Sequence, residues 1–463
     1  MLATKESGFD EFTWQVQPAA ARWVERTIAQ LADRNPLIRR IADALHDHTG
    51  TRLVDWIDHF ALDAAVFPDV VGELTPVGYV PLTQQGSVWR HPLGMFPPIV
   101  TDIGCIGLAL RCDLVDAARL ALPATLGRPP IDGEQVIGRR GSFFRYVAID
   151  SHTDCEVWIV ERHGYAGFEF AQSGDEQIHE VARHAELFRR RQRAFQQPGD
   201  GFEHASRLFA AAASDLGTAW ACDLFFAAER EYWQSRNRAG QLQYERQQRL
   251  GLGWANHDHH TYRSSRAAFP RLIATLEQMG FICRERFYAG SDAGWGAQVL
   301  EQPDCRVVIF ADVDLSPEEV AGDFAHEPLA ERSQLGTVGL WCELHGEAFL
   351  EAGMHHLECQ FDFDAARAQL AALGIESMAP FTDFPFLKQA FTKGEMWPVD
   401  PLRIARLLGD GRITGEQADR FRREGALGSH LEILERNDGY KGFNQTGISE
   451  IITRTDPRRV IGA

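Results

Sequence analysis

Two segments far apart in this chain share one pattern, and that pattern constrains the fold more than any other feature. Val157-Trp158-Ile159-Val160-Glu161-Arg162 leads to Gly164-Tyr165 and Gly167-Phe168, and Leu431-Glu432-Ile433-Leu434-Glu435-Arg436 leads to Gly439-Tyr440 and Gly442-Phe443. Each copy is an apolar strand closing on Glu-Arg, then a Gly-Tyr turn and a Gly-Phe pair, with one residue inserted in the second. Internal self-similarity of this kind marks a duplicated architecture. The informative difference is one position, where Glu432 stands in the second copy and Trp158 in the first. A carboxylate at a buried strand position needs a cation or a proton.

The rest of the 463 residues fit two related halves. Residues 11–48 have apolar positions at three- and four-residue spacing, which predicts helix. From residue 53 the period shortens. Strands are expected at 56–62, 78–82, 106–111, 143–149 and 155–161, with helices near 67–74 and 114–121. Residues 175–250, rich in Ala, Arg, Gln and Glu, interrupt this with two or three helices and a turn at Gln197-Pro198-Gly199-Asp200-Gly201. Strand-helix-strand order returns with strands at 254–263, 280–288 and 306–312 around a helix at 265–279. A further unit has a strand at 354–363, a helix at 365–373 and a last strand at 429–435, with short helical signals over 400–425. Short strands with one helix per group predict an α+β fold. The expected boundaries are an N-terminal helical segment (1–50), a first strand-rich half (51–174), a helical insert (175–250) and a second half carrying the chemistry (251–463).

Strand alternation decides which side chains share a face. On 356–363, Leu357, Cys359, Phe361 and Phe363 form a packing face, while His356, Glu358, Gln360 and Asp362 face the other way. On 256–263 one face carries His257, His259, Thr261 and Arg263; on 430–434 it carries His430, Glu432 and Leu434. Three distant strands thus offer metal-capable side chains to one cup. Two imidazoles and one carboxylate on a protein face leave positions open for substrate and dioxygen, as in non-haem Fe(II) oxygenases. His259, His356 and Glu432 are the expected metal and catalytic residues. Fe(II) leads, and Zn, Mn or Ni suit the same donors. His257 and His260 remain alternatives for the first ligand. His59 has similar strand grammar, but Trp158 replaces the carboxylate and the strand at 105–111 has no His, so the first cup is expected to hold no metal.

Charge and composition exclude other classes. The formal net charge is −18 and no basic tract tracks phosphates, which argues against nucleic acid. No apolar run is long enough to cross a bilayer and no signal core opens the chain, so neither membrane nor export is expected. The eight cysteines are scattered without a CxxC pair, as expected of reduced thiols in cytoplasm. A homo-oligomer is compatible with the sequence.

At Asp258-His259, Met354-His355-His356-Leu357, Leu431-Glu432-Ile433 and Gly442-Phe443-Asn444 the chain resembles the vicinal oxygen chelate superfamily. Within it, the chain looks like the two-domain 4-hydroxyphenylpyruvate dioxygenase type. Gly78-Tyr79-Val80-Pro81-Leu82 and Arg90-His91-Pro92 resemble a related group acting on 2-oxoadipate. The resemblance implies tandem βαβββ modules forming two half-open β barrels. It also implies a non-haem Fe(II)-dependent dioxygenase that takes a 2-oxo acid or related small organic acid, with dioxygen, through oxidative decarboxylation and hydroxylation. Arg263, Glu358, Gln360, Phe443, Asn444 and Gln445 are then expected around the substrate. The insert, the run Asn444-Gln445-Thr446-Gly447-Ile448 and the short tail depart from the 4-hydroxyphenylpyruvate pattern and put an aromatic substrate in doubt. Two other readings stay open: a metal-dependent lyase or isomerase with Glu358 as base, and a small-molecule binding protein without catalysis.

Overall fold

Apolar residues at helical spacing build α1 (Pro18–Arg34) and α2 (Leu37–Thr49), whose Trp23, Leu31, Ile38, Ile41 and Leu45 are buried. The computed structural model describes residues 13–82, 87–102, 104–152, 154–168, 174–444 and 456–458. Helix α2 ends at Gly50 in the left-handed region (φ 68°), where a Cβ would meet the Ala366 backbone at 2.8 Å. The Gly50 carbonyl accepts the Asp362 N–H at 2.9 Å, so this helix cap also ties the first segment to the second half.

The first half is one seven-stranded sheet. Its first module is β1 (Ile57–Leu62), α3 (Val70–Leu74), β2 (Val80–Pro81), β3 (Val88–Arg90) and β4 (Ile99–Val100). Its second is β5 (Ile106–Cys112), α4 (Val115–Thr125), β6 (Phe144–His152) and β7 (Cys155–Arg162). A single bridge, Ile137 to Tyr146, stands where that module's third post-helix strand would lie. The order is β2-β3-β4-β1-β5-β7-β6.

Four helices then form the insert: α5 (Asp175–Arg189), α6 (Pro198–Leu216), α7 (Thr218–Gln234) and α8 (Arg238–Gln248). The sequence predicted two or three, with a turn at 197–201. Instead Pro198 opens α6, because a proline costs nothing where the N–H has no helical partner. The insert is bolted to both halves. His163 lies between Glu161 (2.9 Å) and Asp223 of α7 (2.8 Å), and Arg191 donates to Glu229 (2.9 Å) and to the Phe349 carbonyl (2.6 Å).

The second half repeats the plan in eight strands. Its modules are β8 (His257–Arg263), α9 (Phe269–Gln278), β9 (Ile282–Tyr288), β10 (Trp295–Gln302) and β11 (Val307–Asp314); after α10 (Pro317–Ala321) and α11 (Thr337–His345) come β12 (His356–Gln360), α12 (Phe363–Ala372), β13 (Thr382–Phe384) and β14 (Leu387–Phe391). A small pair, β15 (Met396–Trp397) and β16 (Ala426–Leu427), flanks α13 (Pro401–Gly409) and α14 (Gly415–Glu424) before β17 (His430–Arg436) closes the last module. The order is β13-β14-β17-β12-β8-β11-β10-β9. The architecture is α+β, with tandem βαβββ modules curled into two half-barrels. Strands β10, β13 and β14 escaped the sequence reading. β10 is buried almost throughout, so it lacks the alternation that betrays a half-exposed strand. Among the described residues no helix is long and apolar enough to cross a membrane.

Candidate metal centre

The centre begins with a defect in strand pairing. Along β8 and β12, Glu358 lies opposite His259, but the next pair is Cys359 with His257, so Asp258 is an extra, bulged residue. Neighbours on a regular strand point to opposite faces. The bulge breaks that rule and lets Asp258 reach the side chain beside it: its Oδ1 accepts the His259 Nδ1–H at 2.8 Å. Arg436, at the end of β17, grips the same carboxylate through Nε (2.9 Å) and Nη2 (3.0 Å), and Gln360 donates to it at 3.0 Å. Burial opposes charge on Asp258, but the Arg436 guanidinium and the His259 N–H override it and hold the carboxyl far below its usual range. An ionised Asp258 fixes the His259 tautomer, leaving a lone pair on Nε2.

That lone pair points into a row of acceptors. His259 on β8, Glu358 on β12 and Glu432 on β17 are successive cross-strand neighbours, and one donor atom from each lies within 4.8 Å of the others. All three residues are buried. His259 Nε2 is in direct contact with Glu358 Oε2, which has no hydrogen-bond partner. Burial lowers His259 to about 4 and pushes Glu432 well above the usual carboxylate range. A neutral imidazole nitrogen facing two buried carboxylates is an arrangement only a cation or protons can satisfy. The nitrogen and oxygen donors suit a divalent first-row ion such as Fe(II), Mn or Zn; the only thiol on β12, Cys359, belongs to the buried packing face.

The sequence-derived residues are placed as follows. His356 shares the cup, with Nε2 3.5 Å from Glu432 Oε2 and Nδ1 unpartnered, but the compact donor group contains Glu358 where His356 was expected. The reason is register: His356 pairs with Thr261 and His430, one row along. His257 is turned off the row by the bulge, its Nδ1 at 2.9 Å from the Trp254 carbonyl, and His260 points to Arg230 (3.3 Å) and Phe226. Gln360, expected at the substrate, donates to Asp258. Arg263 is buried beyond Thr261, 3.9 Å from Asp312, with Nε and Nη1 unpartnered, so it is no surface ion pair. Phe443 stacks edge-on against His259 (5.0 Å) and Phe310 (4.4 Å), and Asn444 lines the cup while donating to Thr382 at 3.0 Å. Gln445 lies outside the described residues.

The cup is a space of about 60 Å³ walled by Phe287, Trp295, Phe310, Phe381, Phe391 and Phe443. Sequence reasoning missed three contributors. Asp312, at the far end of β11, has its carboxyl raised to about 8 by burial, with Arg263 opposing and Glu432 adding to the rise. Gln389 donates to Glu432 at 2.8 Å. Arg436 was visible only as the last letter of the repeat. The recurrence of Asp-His and Glu-Arg in both halves was the signal that could have found the clamp.

The first half keeps the frame and its histidine but not the two carboxylates of the row. The same bulge recurs at Asp58, which contacts His59 Nδ1 (2.8 Å) and is gripped by Arg162 (2.9 Å); Phe168 meets His59 edge-on at 4.8 Å. Arg162 donates to the Tyr165 and Gly167 carbonyls as Arg436 does to those of Tyr440 and Gly442. The row itself reads His59, Ala109, Trp158. Trp158 packs with Ala61, Phe144 and Val160 and fills the volume an ion and its ligands would need.

No known protein family's profile matches this chain, and no curated protein matches it. Solved structures give faint similarity. A triple mutant of 4-hydroxymandelate synthase from Streptomyces coelicolor is 12% identical over 86% of this chain and 96% of its own, with a TM-score of 0.26. Methylmalonyl-CoA epimerase from Mycobacterium tuberculosis is 14% identical over 39% of this chain and 88% of its own, with a TM-score of 0.23. At these values the chemistry has to be read from this chain's own side chains.

Protons and any metal ion held here would compete for the same row. Because burial raises Glu432 above its ordinary range, metal uptake at neutral pH is expected to release protons. Affinity should therefore rise with pH from 4.5 upward. Titration calorimetry in buffers of different ionisation enthalpy checks this; a proton count of zero at pH 6 and 7 would contradict it.

Proposed function

We propose that this chain is a metal-dependent enzyme acting on a small organic acid, most specifically a non-haem Fe(II)-dependent dioxygenase that oxidatively decarboxylates a 2-oxo acid. One observation carries the reading: a neutral imidazole lone pair and two buried carboxylates converge from three strands on one point of an otherwise aromatic cup. His259, Glu358 and Glu432 would hold the ion, with His356 beside Glu432 as a further nitrogen donor. When bound, the ion supplies Lewis acidity and, if iron, one-electron chemistry toward dioxygen.

The protein's own groups supply the rest. Gln389 and the Asp258–Arg436 clamp fix the orientation of Glu432 and His259, so the donors are held in place before any ion arrives. The aromatic wall keeps water from the reacting atoms. Arg263 carries two unpartnered N–H groups beyond Thr261 and sets a positive potential that favours a substrate carboxylate at that end. Asp312, protonated at neutral pH, can donate a hydrogen bond to a substrate oxygen.

The contact of Glu358 with His259 favours one second reading. If His356 rather than Glu358 completes the ligand set, the free Glu358 carboxylate is a base poised for proton abstraction next to a carbonyl, as in a lyase or isomerase needing no dioxygen. Oxygen consumption with a panel of 2-oxo acids, set against anaerobic turnover of the same panel, separates the two. Uptake of dioxygen matched by release of carbon dioxide supports the dioxygenase; turnover without oxygen supports the second reading.

Asp312→Asn provides a narrower check. The amide keeps a donor and stays neutral, so activity near pH 7 should fall by less than about tenfold, the scale of one neutral hydrogen bond. The wild-type loss of activity as pH rises through about 8 should vanish. A variant profile that still falls at pH 8 would remove Asp312 from the site.

A further inference from the structure

The two halves meet across a second cavity, about 430 Å³ in volume and separated from the cup by Phe443, which lines both. Its wall is rich in cations, and most have partners. Arg52 pairs with Asp55 (2.7 Å), Arg284 with Glu285 (2.6 Å), Arg436 with Asp258 (2.9 Å) and Lys441 with Glu301 (3.2 Å).

Three arginines do not fit that account. Arg306, from the turn before β11, reaches only Asp58, at 3.5 Å, and that carboxylate is already gripped by Arg162. Its Nη2 is buried without a partner. Arg90 donates through Nη2 to the Ala166 carbonyl, while its Nε is buried and unpartnered. Arg111, on β5, forms no ion pair among the described residues. Asp58 is thus shared between Arg162 and Arg306, and no carboxylate forms an ion pair with Arg90 or Arg111 among the described residues. Their crowding is felt: burial and the nearness of Arg111, Arg162 and Arg90 bring Arg306 down to about 9 despite Asp58.

The backbone at Arg306 adds an independent observation. Its φ is 57°, one of only two positive values among the described non-glycine residues, in a turn where Gly or Asn would sit without strain. Strain of this kind persists where the surroundings demand the side chain. A structural role would be met by an arginine fully paired with Asp58, and this one is shared and half-used. Partly buried positive charge without matching carboxylates is also out of keeping with a chain of net charge −18, and it focuses potential for anions in one place. Beside these arginines, the unpartnered His257 Nε2 is an acceptor when Nδ1 donates to Trp254, which suits a hydroxyl or a hydrogenphosphate O–H.

We propose that the cavity between the halves is a second ligand site, distinct from the metal centre though the Asp258–Arg436 clamp lies in its wall, whose Arg90, Arg111 and Arg306 bind the oxyanion group of a small molecule, a phosphate or a carboxylate. The volume fits a small metabolite. It does not depend on the function proposed for the cup.

The test uses the full chain and two probes, inorganic phosphate and citrate, each titrated by calorimetry and thermal melting at ionic strength held constant with chloride. Saturable binding of either probe beyond the chloride control is expected; preference for phosphate or for citrate identifies the source chemistry. Arg306→Gly, which removes the charge and relieves the backbone, and Arg111→Gln should each weaken binding by about tenfold or more, the scale of a lost charge-assisted hydrogen bond. Without ligand, both variants should melt at or above the wild-type temperature. Binding should persist in the Glu432→Gln protein, which distinguishes this site from the cup. Neither probe binding above chloride, or undiminished binding by both variants, would overturn the proposal.

Discussion

Glu432→Gln is expected to strip the protein of divalent metal while leaving it folded. Gln preserves shape, but it removes one of the two carboxylates in the buried row. Affinity should fall by more than about 100-fold, beyond the 10- to 100-fold typical of losing an outer-sphere partner. Burial holds the Glu432 carboxyl above its ordinary range, so the ionised form costs the metal-free fold stability at every pH above 4.5. The metal-free variant should therefore melt no lower than metal-free wild type at pH 7. Elemental analysis and thermal melting read both effects, and Trp158→Phe in the other half serves as a control that leaves metal content unchanged. Full metal occupancy in the Gln variant would place the ion elsewhere.

The second large effect concerns the clamp. Arg436→Met leaves Asp258 as a buried carboxylate without its main counter-charge, and the matching change Arg162→Met does the same to Asp58. Removing one partner of a buried ion pair costs about 3–5 kcal/mol, so both variants should be destabilised on that scale in denaturant unfolding. Their metal binding should diverge. Arg436→Met frees His259 from its fixed tautomer and should lower affinity by about 10- to 100-fold, whereas Arg162→Met should leave it unchanged. Equal losses of metal from both would show that the effect travels through global stability rather than through His259.

Much of the frame was legible because it rests on periodicity. The repeat at 157–168 and 431–443 marked two related strands, and alternation alone placed His259, Glu358 and Glu432 on cup-facing positions. Alternation cannot say which residues stand level. That depends on register, and register here is set by a bulge at Asp258 that no one-dimensional pattern announces. This is why alternation could not tell that Glu358 stands level with His259 and Glu432 while His356, two residues away on the same face, lies one row along in the same cup. Asp312 was hidden for a different reason. It lies two residues before the end of a strand of mostly buried apolar residues, and only the packing of Arg263 and Glu432 around it reveals its altered acidity.

The pairing of Asp58 with Arg162 in a half whose cup is filled by tryptophan constrains how that half can change. A lone side chain on the cup face can be replaced singly, since an alanine or an indole there meets an accommodating apolar neighbourhood. A locked acid–base couple cannot leave by the same route, because either single loss strands the other member. The couple then works as a ratchet: it holds the end of this strand in place whatever side chains fill the cup beside it.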